Sequence, residues 1–173
     1  MPLIATPLSP DANSYLTEAE ATEYLTNERL HTTEWSGAEV EVREKALIWA
    51  SRLLDAHMSW RGYKRTAEQA LRFPRSGIQT EDGEWVDPDS IPQILKHATA
   101  ELANSLLIRE RTSEPDVLGL GIKSIEIEGL LSLDVSDRER IDLIPEGIVQ
   151  LLSPLGWLKA GSGRGLKQLR LYR

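Results

Sequence analysis

The longest hydrophobic pattern in the chain covers residues 42–57 and predicts an amphipathic helix. Apolar side chains and one histidine recur there at helical spacing: Val42, Ala46, Trp49, Ala50, Leu53, Leu54 and His57. Charged side chains fall largely off this stripe, so one face should pack and the other should meet water. After Gly62 a polar turn leads to Leu71 and Phe73, which return to the core, and Pro74 stops any helix.

Further helices are predicted on both sides of this one. Thr17 and Glu20 match a capping box and should start a short helix whose inward face includes Tyr24. Ser36 is the expected N-cap of the long helix. A second long stripe follows Pro92 and should end near residue 111; it consists of Ile94, Leu95, Ala98, Leu102, Ser105 and Leu106. A last short helix is expected to open at residues 144–145.

Two stretches have the pattern of β-hairpins. Apolar and polar residues alternate over residues 122–135 with a break at Gly129, which predicts strand, turn and strand. A shorter hairpin is expected around Asp82 and Gly83. The predicted fold class is therefore mainly α: an antiparallel helical bundle with a small β-hairpin excursion and an extended C-terminal arm. Its parts are an extended N-terminal arm (1–13), a helical domain (14–157) with the excursion at about 120–136, and a basic C-terminal arm (158–173).

Composition narrows the function classes. The 173 residues include no cysteine, which excludes disulfides, thiolate catalysis and cysteine-ligated zinc. Neither a signal peptide nor an apolar run of membrane-spanning length is present, so no membrane partner is expected. The net charge of −7 divides unevenly, because the last 23 residues carry five basic side chains and no acidic one. Such a tail suits an acidic partner surface, including that of another copy of the chain.

No arrangement of residues points to catalysis. The three histidines, His31, His57 and His97, are dispersed, and none has the i+4 partner of a helical zinc site. A nucleophile elbow is absent, and the glycine-rich stretch 161–165 lacks the lysine spacing of a phosphate-binding loop. We therefore predict no enzyme activity, no catalytic residue, no cofactor and no metal.

The large aromatic side chains allow two interpretations. They could be stacking platforms for single-stranded nucleic acid, or they could be core residues. Trp49 and Phe73 favour the core, whereas Trp60 and Trp85 fit either. The basic tail with Tyr172 is where a phosphate backbone could bind, but an acidic body would repel it. Nucleic-acid binding is therefore the alternative interpretation at this stage.

Several short segments occur in a recognisable order. They are Ser14-Tyr15, Ala46-Leu47-Ile48, Trp60-Arg61-Gly62, residues 69–75, Ile91-Pro92, Ala98 with Glu101-Leu102-Ala103, residues 122–129, Ile144-Pro145 and residues 151–155. In this order they resemble a bacteriophage protein group labelled DnaT-like single-stranded-DNA-binding. They are also similar to the head-to-tail connector, or adaptor, proteins of long-tailed phages. The resemblance covers about residues 14–157 and departs at position 73, where Phe stands in place of the expected Trp.

The resemblance implies a structural virion protein without catalytic residues. Its copies would form a homo-oligomeric ring, usually a dodecamer, that joins the portal protein to a tail-side or stopper protein and extends the channel for packaged DNA. Its location would be the head-tail junction of the virion, reached from the host cytoplasm during assembly. The alternative that the label supports is a DnaT-like single-stranded-DNA-binding protein.

Two sets of residues follow as candidate sites. The basic arm is expected to dock onto a partner through Trp157, Lys159, Arg164, Lys167, Leu169, Arg170, Leu171, Tyr172 and Arg173. The structural motif after the long helix comprises Trp49, Trp60, Gly62, Leu71, Phe73, Pro74 and Arg75. Within that motif, Trp60 and Phe73 should be buried, and Arg75 should bind backbone carbonyls or a carboxylate.

Overall fold

Five helices and six short strands form the regular structure of the residues that a computed structural model describes. These residues are 2–80, 82–108 and 143–159, together with the backbone of 124–127 and 131–134. The helices are α1 (Glu18–Glu28), α2 (Thr33–Gly37), α3 (Val40–His57), α4 (Gln93–Ile108) and α5 (Glu146–Leu151). The strands are β1 (Met58–Trp60), β2 (Tyr63–Lys64), β3 (Arg75–Ser76), β4 (Ser124–Ile127), β5 (Leu131–Asp134) and β6 (Gly156–Leu158).

The core lies between α3 and α4, which pack against each other, while α1, α2 and α5 also contact α4. From α3 it takes Ala46, Leu47, Ala50, Leu53 and Leu54. From α4 it takes Leu95, Ala98, Ala100, Leu102 and Ala103. These helical faces confirm that the chain is mainly helical with small sheets, and the antiparallel bundle stays a prediction.

The stripe proposed for α3 is wrong at Trp49. Its side chain was expected to pack in the core but is 42% exposed. Val42, seven residues earlier, is exposed to a similar extent. At 3.6 residues per turn, Trp49 lies about 200° around the helix from the fully buried Leu47. The buried side of α3 therefore centres on Leu47 and Leu54. The helix also begins at Val40, with Glu39 rather than Ser36 at its N-cap.

Several local predictions are confirmed. Thr17 Oγ1 accepts a hydrogen bond from the Glu20 amide at 3.2 Å, and Glu20 Oε2 accepts one from the Thr17 amide at 2.8 Å, which completes the capping box. The strands β4 and β5 pair antiparallel on either side of residue 129. A second turn places Gln79 opposite Trp85, as expected around residues 82–83.

Residues 2–13, expected to be an extended arm, contain no helix or strand and close into a loop. The Asn13 side chain accepts a hydrogen bond from the Ile4 amide at 2.8 Å and donates one to the Pro2 carbonyl at 2.9 Å. Ala12 and Asn13 are buried, and Leu3 packs on the core. This segment therefore belongs to the packed body of the protein.

Two small sheets extend from the C-terminal end of α3. The strand β1 continues directly from the helix and pairs antiparallel with β6, so that Ser59 faces Trp157. The strand β2 pairs antiparallel with β3, so that Lys64 faces Arg75. These pairings bring the segment after α3 and the segment after α5 to the same end of the molecule.

Candidate nucleic-acid interface

A locally basic segment lies within the acidic chain. Residues 58–77 contain five basic side chains and a single acidic one, Glu68. The basic residues are Arg61, Lys64, Arg65, Arg72 and Arg75. We refer to residues 58–77 together with residues 155–159 as the β-loop face. The net charge summed over the first 150 residues does not reveal this segment. The net charge in a window of about 20 residues would have found it.

Arg75 fixes the backbone of the β-loop face. Its Nε donates to the Arg61 carbonyl at 2.6 Å, its Nη2 to the Gly62 carbonyl at 2.6 Å and its Nη1 to the Arg72 carbonyl at 3.3 Å. The predicted binding of Arg75 to backbone carbonyls is confirmed. Two loops that are ten residues apart in sequence therefore meet on one guanidinium group. Burial lowers the pKa of Arg75, and the positive charge of Arg72 lowers it further.

Asp55 binds the backbone of the second loop at Arg72. Its carboxylate accepts a hydrogen bond from the Arg72 amide at 3.0 Å and another from the Tyr15 hydroxyl. Burial raises the pKa of Asp55, although both hydrogen bonds and the charge of Arg72 oppose that shift. Tyr15 is fully buried, and its pKa is raised by that burial and by the charge of Asp55. The carboxylate thus links the core to the backbone at Arg72.

The aromatic part of the motif is packed. Phe73 is 1% exposed, and its ring meets that of Trp60 edge-on at 5.0 Å between centroids and that of Tyr15 at 6.4 Å. Leu71 and Pro74 are buried beside it, and the Phe73–Pro74 peptide is cis. The predicted burial of Trp60 and Phe73 is confirmed, so neither ring is available to a nucleobase.

Gly62 allows the tight turn between β1 and β2. It has a φ of +64°, and a Cβ at this position would lie 2.2 Å from the Ser76 carbonyl oxygen. The next residue, Tyr63, is 67% exposed. Its ring lies over the backbone of Gly77, where an added Cβ would come within 3.1 Å of Cε1. The turn therefore presents one aromatic ring to solvent beside the arginines.

The C-terminal part of the face contributes Trp157 and Lys159. Trp157, on β6 opposite Ser59, is 56% exposed. The Lys159 ammonium donates to the carbonyls of Asp55 and Ala56, so it satisfies the C-terminal end of α3. Of the predicted arm residues these two are described. The others lie outside the described residues: Arg164, Lys167, Leu169, Arg170, Leu171, Tyr172 and Arg173.

Trp85 offers a contrast to this pair of exposed rings. It is 69% exposed at the end of the turn that follows β3. Its neighbours in sequence include Asp82, Glu84 and Asp87. Trp85 is therefore available to solvent but sits among carboxylates, whereas Tyr63 and Trp157 lie beside cations.

A polar cleft of about 280 Å³ lies between α1 and α4. Glu20, Glu23 and Glu28 line it, and the rings of Tyr24 and His97 stack there with centroids 3.9 Å apart. Lys96 binds Glu20 across the cleft. Over the described part of the chain, no group of three or more His, Asp or Glu side chains could hold a metal ion. None of the described helices is long and apolar enough to cross a membrane, and the absence of enzyme activity stays a prediction.

A comparison with known families gives a match over most of the chain. Residues 1–165 match the family described as "Putative DnaT-like ssDNA binding protein". Searches of curated proteins and of solved structures found no match to this chain. The match extends over nearly the whole sequence and includes both segments of the β-loop face.

This match corrects the main functional prediction. The assignment as a head-to-tail connector is wrong, because the matching family is described by single-strand binding, which was the alternative. The charge argument against DNA used the average over an acidic body and overlooked the basic residues within 58–77. The ring of copies, the portal and tail-side partners and the virion location were expected from the connector role alone, and no observation tests them.

Proposed function

We propose that this chain, which belongs to the family of DnaT-like ssDNA-binding proteins, binds single-stranded DNA. The observation that carries the proposal is the family match over residues 1–165. The match names an activity and assigns no residue to it. The chemistry of the described surface supports the same activity independently.

That support is the combination of cations and exposed rings on the β-loop face. Proteins that bind single strands without sequence preference combine a basic groove for the phosphates with aromatic side chains on which bases stack. Arg61 and Arg72 supply exposed cations there, and Tyr63 and Trp157 supply exposed rings. Unpaired bases can reach such rings, whereas the bases of a duplex are stacked on each other. This composition therefore favours a single strand over a duplex.

The carboxylates at the start of α3 are too distant to prevent binding at this face. Much of its charge on α3 lies near the N-terminal end, at Glu39, Glu41 and Glu44. At 1.5 Å per residue, Glu44 is about 20 Å along the helix from His57, where the face begins. The Debye length is about 8 Å at physiological ionic strength, so these carboxylates act weakly at that distance.

A titration of the purified full chain against labelled oligothymidine tests the proposal. We expect fluorescence anisotropy to show binding that is tighter for the single strand than for a duplex of equal length. The logarithm of the binding constant should fall linearly with the logarithm of salt concentration, because phosphate contacts release counterions. Polyglutamate of similar charge serves as the control polyanion and should compete poorly.

Two results would contradict the proposal. One is the absence of any anisotropy change with the single strand at low salt, where phosphate contacts are strongest. The other is equal competition by polyglutamate, since that would reduce the interaction to net charge alone.

A further inference from the structure

We infer that the single strand is held on the β-loop face by a division of roles, in which Arg61 and Arg72 bind phosphates while Tyr63 and Trp157 stack on bases. This inference rests on the proposed function and assigns its residues. Neither the family description nor the sequence pattern assigns them.

The backbones of the two arginines are placed together. Their carbonyl oxygens both bind the guanidinium of Arg75, so their backbones meet at one point. Both residues are exposed. Among the residues described, neither side chain forms an ion pair, whereas Arg29, Arg43 and Arg65 pair with Glu101, Glu18 and Asp89.

Positive charge gathers at this point, and the carboxylate of Asp55 offsets part of it. Arg75 lies between the two loops, and its lowered pKa reflects burial and the neighbouring charge of Arg72. Three of its five N–H donors bind backbone carbonyls, so it fixes the backbone at Arg61 and Arg72 and is a positioning residue. Phosphate oxygens match the geometry of the guanidinium fork and would relieve the repulsion.

Arg61 lies between Tyr63 and Ser59 in sequence, and Ser59 is paired with Trp157. Trp157 faces Ser59 across the β1–β6 pair, and Tyr63 comes four residues after Ser59. A four-residue step spans at most about 14 Å, and paired residues lie about 5 Å apart, so the two backbones are within about 20 Å. That distance equals about six stacked nucleotides at 3.4 Å each. A short single strand is therefore long enough to span the backbones that carry the two rings and Arg61.

Point variants of the full chain separate phosphate contacts from stacking contacts. For a single strand, each lost phosphate contact lowers the magnitude of the salt slope by about 0.7. Arg61→Ala and Arg72→Ala should each flatten the slope by about that amount. Tyr63→Ala and Trp157→Ala should weaken binding on the order of tenfold with an unchanged slope, because stacking releases no counterion. Tyr63→Phe keeps the ring and should bind more tightly than Tyr63→Ala.

Two control variants remove the same kinds of side chain, a cation and an aromatic ring, outside the β-loop face. Lys45→Ala removes an exposed cation about 15 Å along α3 from Asp55, and should leave both affinity and slope unchanged. Trp85→Ala removes an equally exposed ring from the acidic turn and should do the same. Thermal melting of every variant shows whether the fold is retained, and Trp157→Ala still tests stacking where Tyr63→Ala does not fold.

The outcomes distinguish this inference from the proposed function. If the unaltered chain binds and the arginine and ring variants bind equally well, the strand lies elsewhere. That result would overturn the inference but not the proposed function. Equal losses in Lys45→Ala and Trp85→Ala would also overturn it. No binding by the unaltered chain would contradict the proposed function itself.

Discussion

The helical part and the β-loop face are stabilised in different ways. Side chains of α3 and α4 such as Leu47, Leu54 and Leu95 are fully buried, and the helices meet through them. In the face, charged and amide groups bind backbone carbonyls instead: Arg75 binds three, and Gln69 donates to those of Leu71 and Pro74 at 3.0 Å. In the face, the side chains of Arg75 and Gln69 therefore fix the backbone. The side chains of Arg61, Tyr63, Arg72 and Trp157 stay exposed to a ligand.

The largest effect is expected where the two regions share an apolar contact. Phe73 is the ring through which the face packs on the core, against Tyr15 and Trp60. Replacing a fully packed Phe by Ala costs about 3–5 kcal/mol, so Phe73→Ala should lower the free energy of unfolding by that amount. Urea denaturation measures it.

The control for this prediction is Trp85→Ala. The Trp85 side chain is mostly exposed, and its removal should change the free energy of unfolding by less than about 0.5 kcal/mol. Equal stability of Phe73→Ala and the unaltered protein would mean that the face does not depend on the core.

A second, somewhat smaller effect is expected at Gly62. A left-handed backbone conformation costs a residue with a side chain about 1–2 kcal/mol, and at Gly62 the added Cβ would also meet the Ser76 carbonyl oxygen. Gly62→Ala should therefore cost about 3 kcal/mol, near the upper limit for local backbone strain. Gly83→Ala is the matched control, since Gly83 also has a positive φ but open space around its Cα. It should cost about 1–2 kcal/mol, and an equal cost at both sites would show that the close approach at Gly62 is not rigid.

The smallest effect is expected in the pH dependence of the free energy of unfolding, through Asp55. Because burial raises the pKa of Asp55, the folded state binds its proton at a higher pH than the unfolded chain, whose value is about 3.9. Stability from this group is therefore present at low pH and is lost as pH rises from about 3.9 through the raised folded pKa. Asp55→Asn cannot ionise and should lack this dependence. Urea denaturation of both proteins from pH 4 to pH 7 checks it, and parallel curves would contradict it.

Much of the helical part could be predicted from local sequence. The capping box at Thr17 and Glu20 and the stripe of α4 are set by neighbours within one or two turns, so periodicity finds them. The burial of Phe73 followed from its place before Pro74 at the return to the core. The prediction for Trp49 was wrong because the buried side of α3 centres on Leu47 and Leu54, and Trp49 lies about 200° around the helix from Leu47.

The face could not be predicted in the same way. Pairing of β1 with β6 joins residues about 100 positions apart, and neither three-residue strand has a periodicity that identifies its partner. The contacts of Lys159 with the end of α3 depend on that pairing. The binding of Arg75 to carbonyls was predicted, but its consequence for Arg61 and Arg72 required the three distances.

The pairing of β1 with β6 also sets an order of events during protein synthesis. Ribosomes add about 5–20 residues per second, so β1 waits about 5–20 s after its own synthesis for Gly156–Leu158 to be made. The helices α1 to α4 are complete well before then. A growing chain therefore has its helices before it has Trp157 in place, and while β1 waits, its backbone donors and acceptors on that edge are open to water or to another nascent strand.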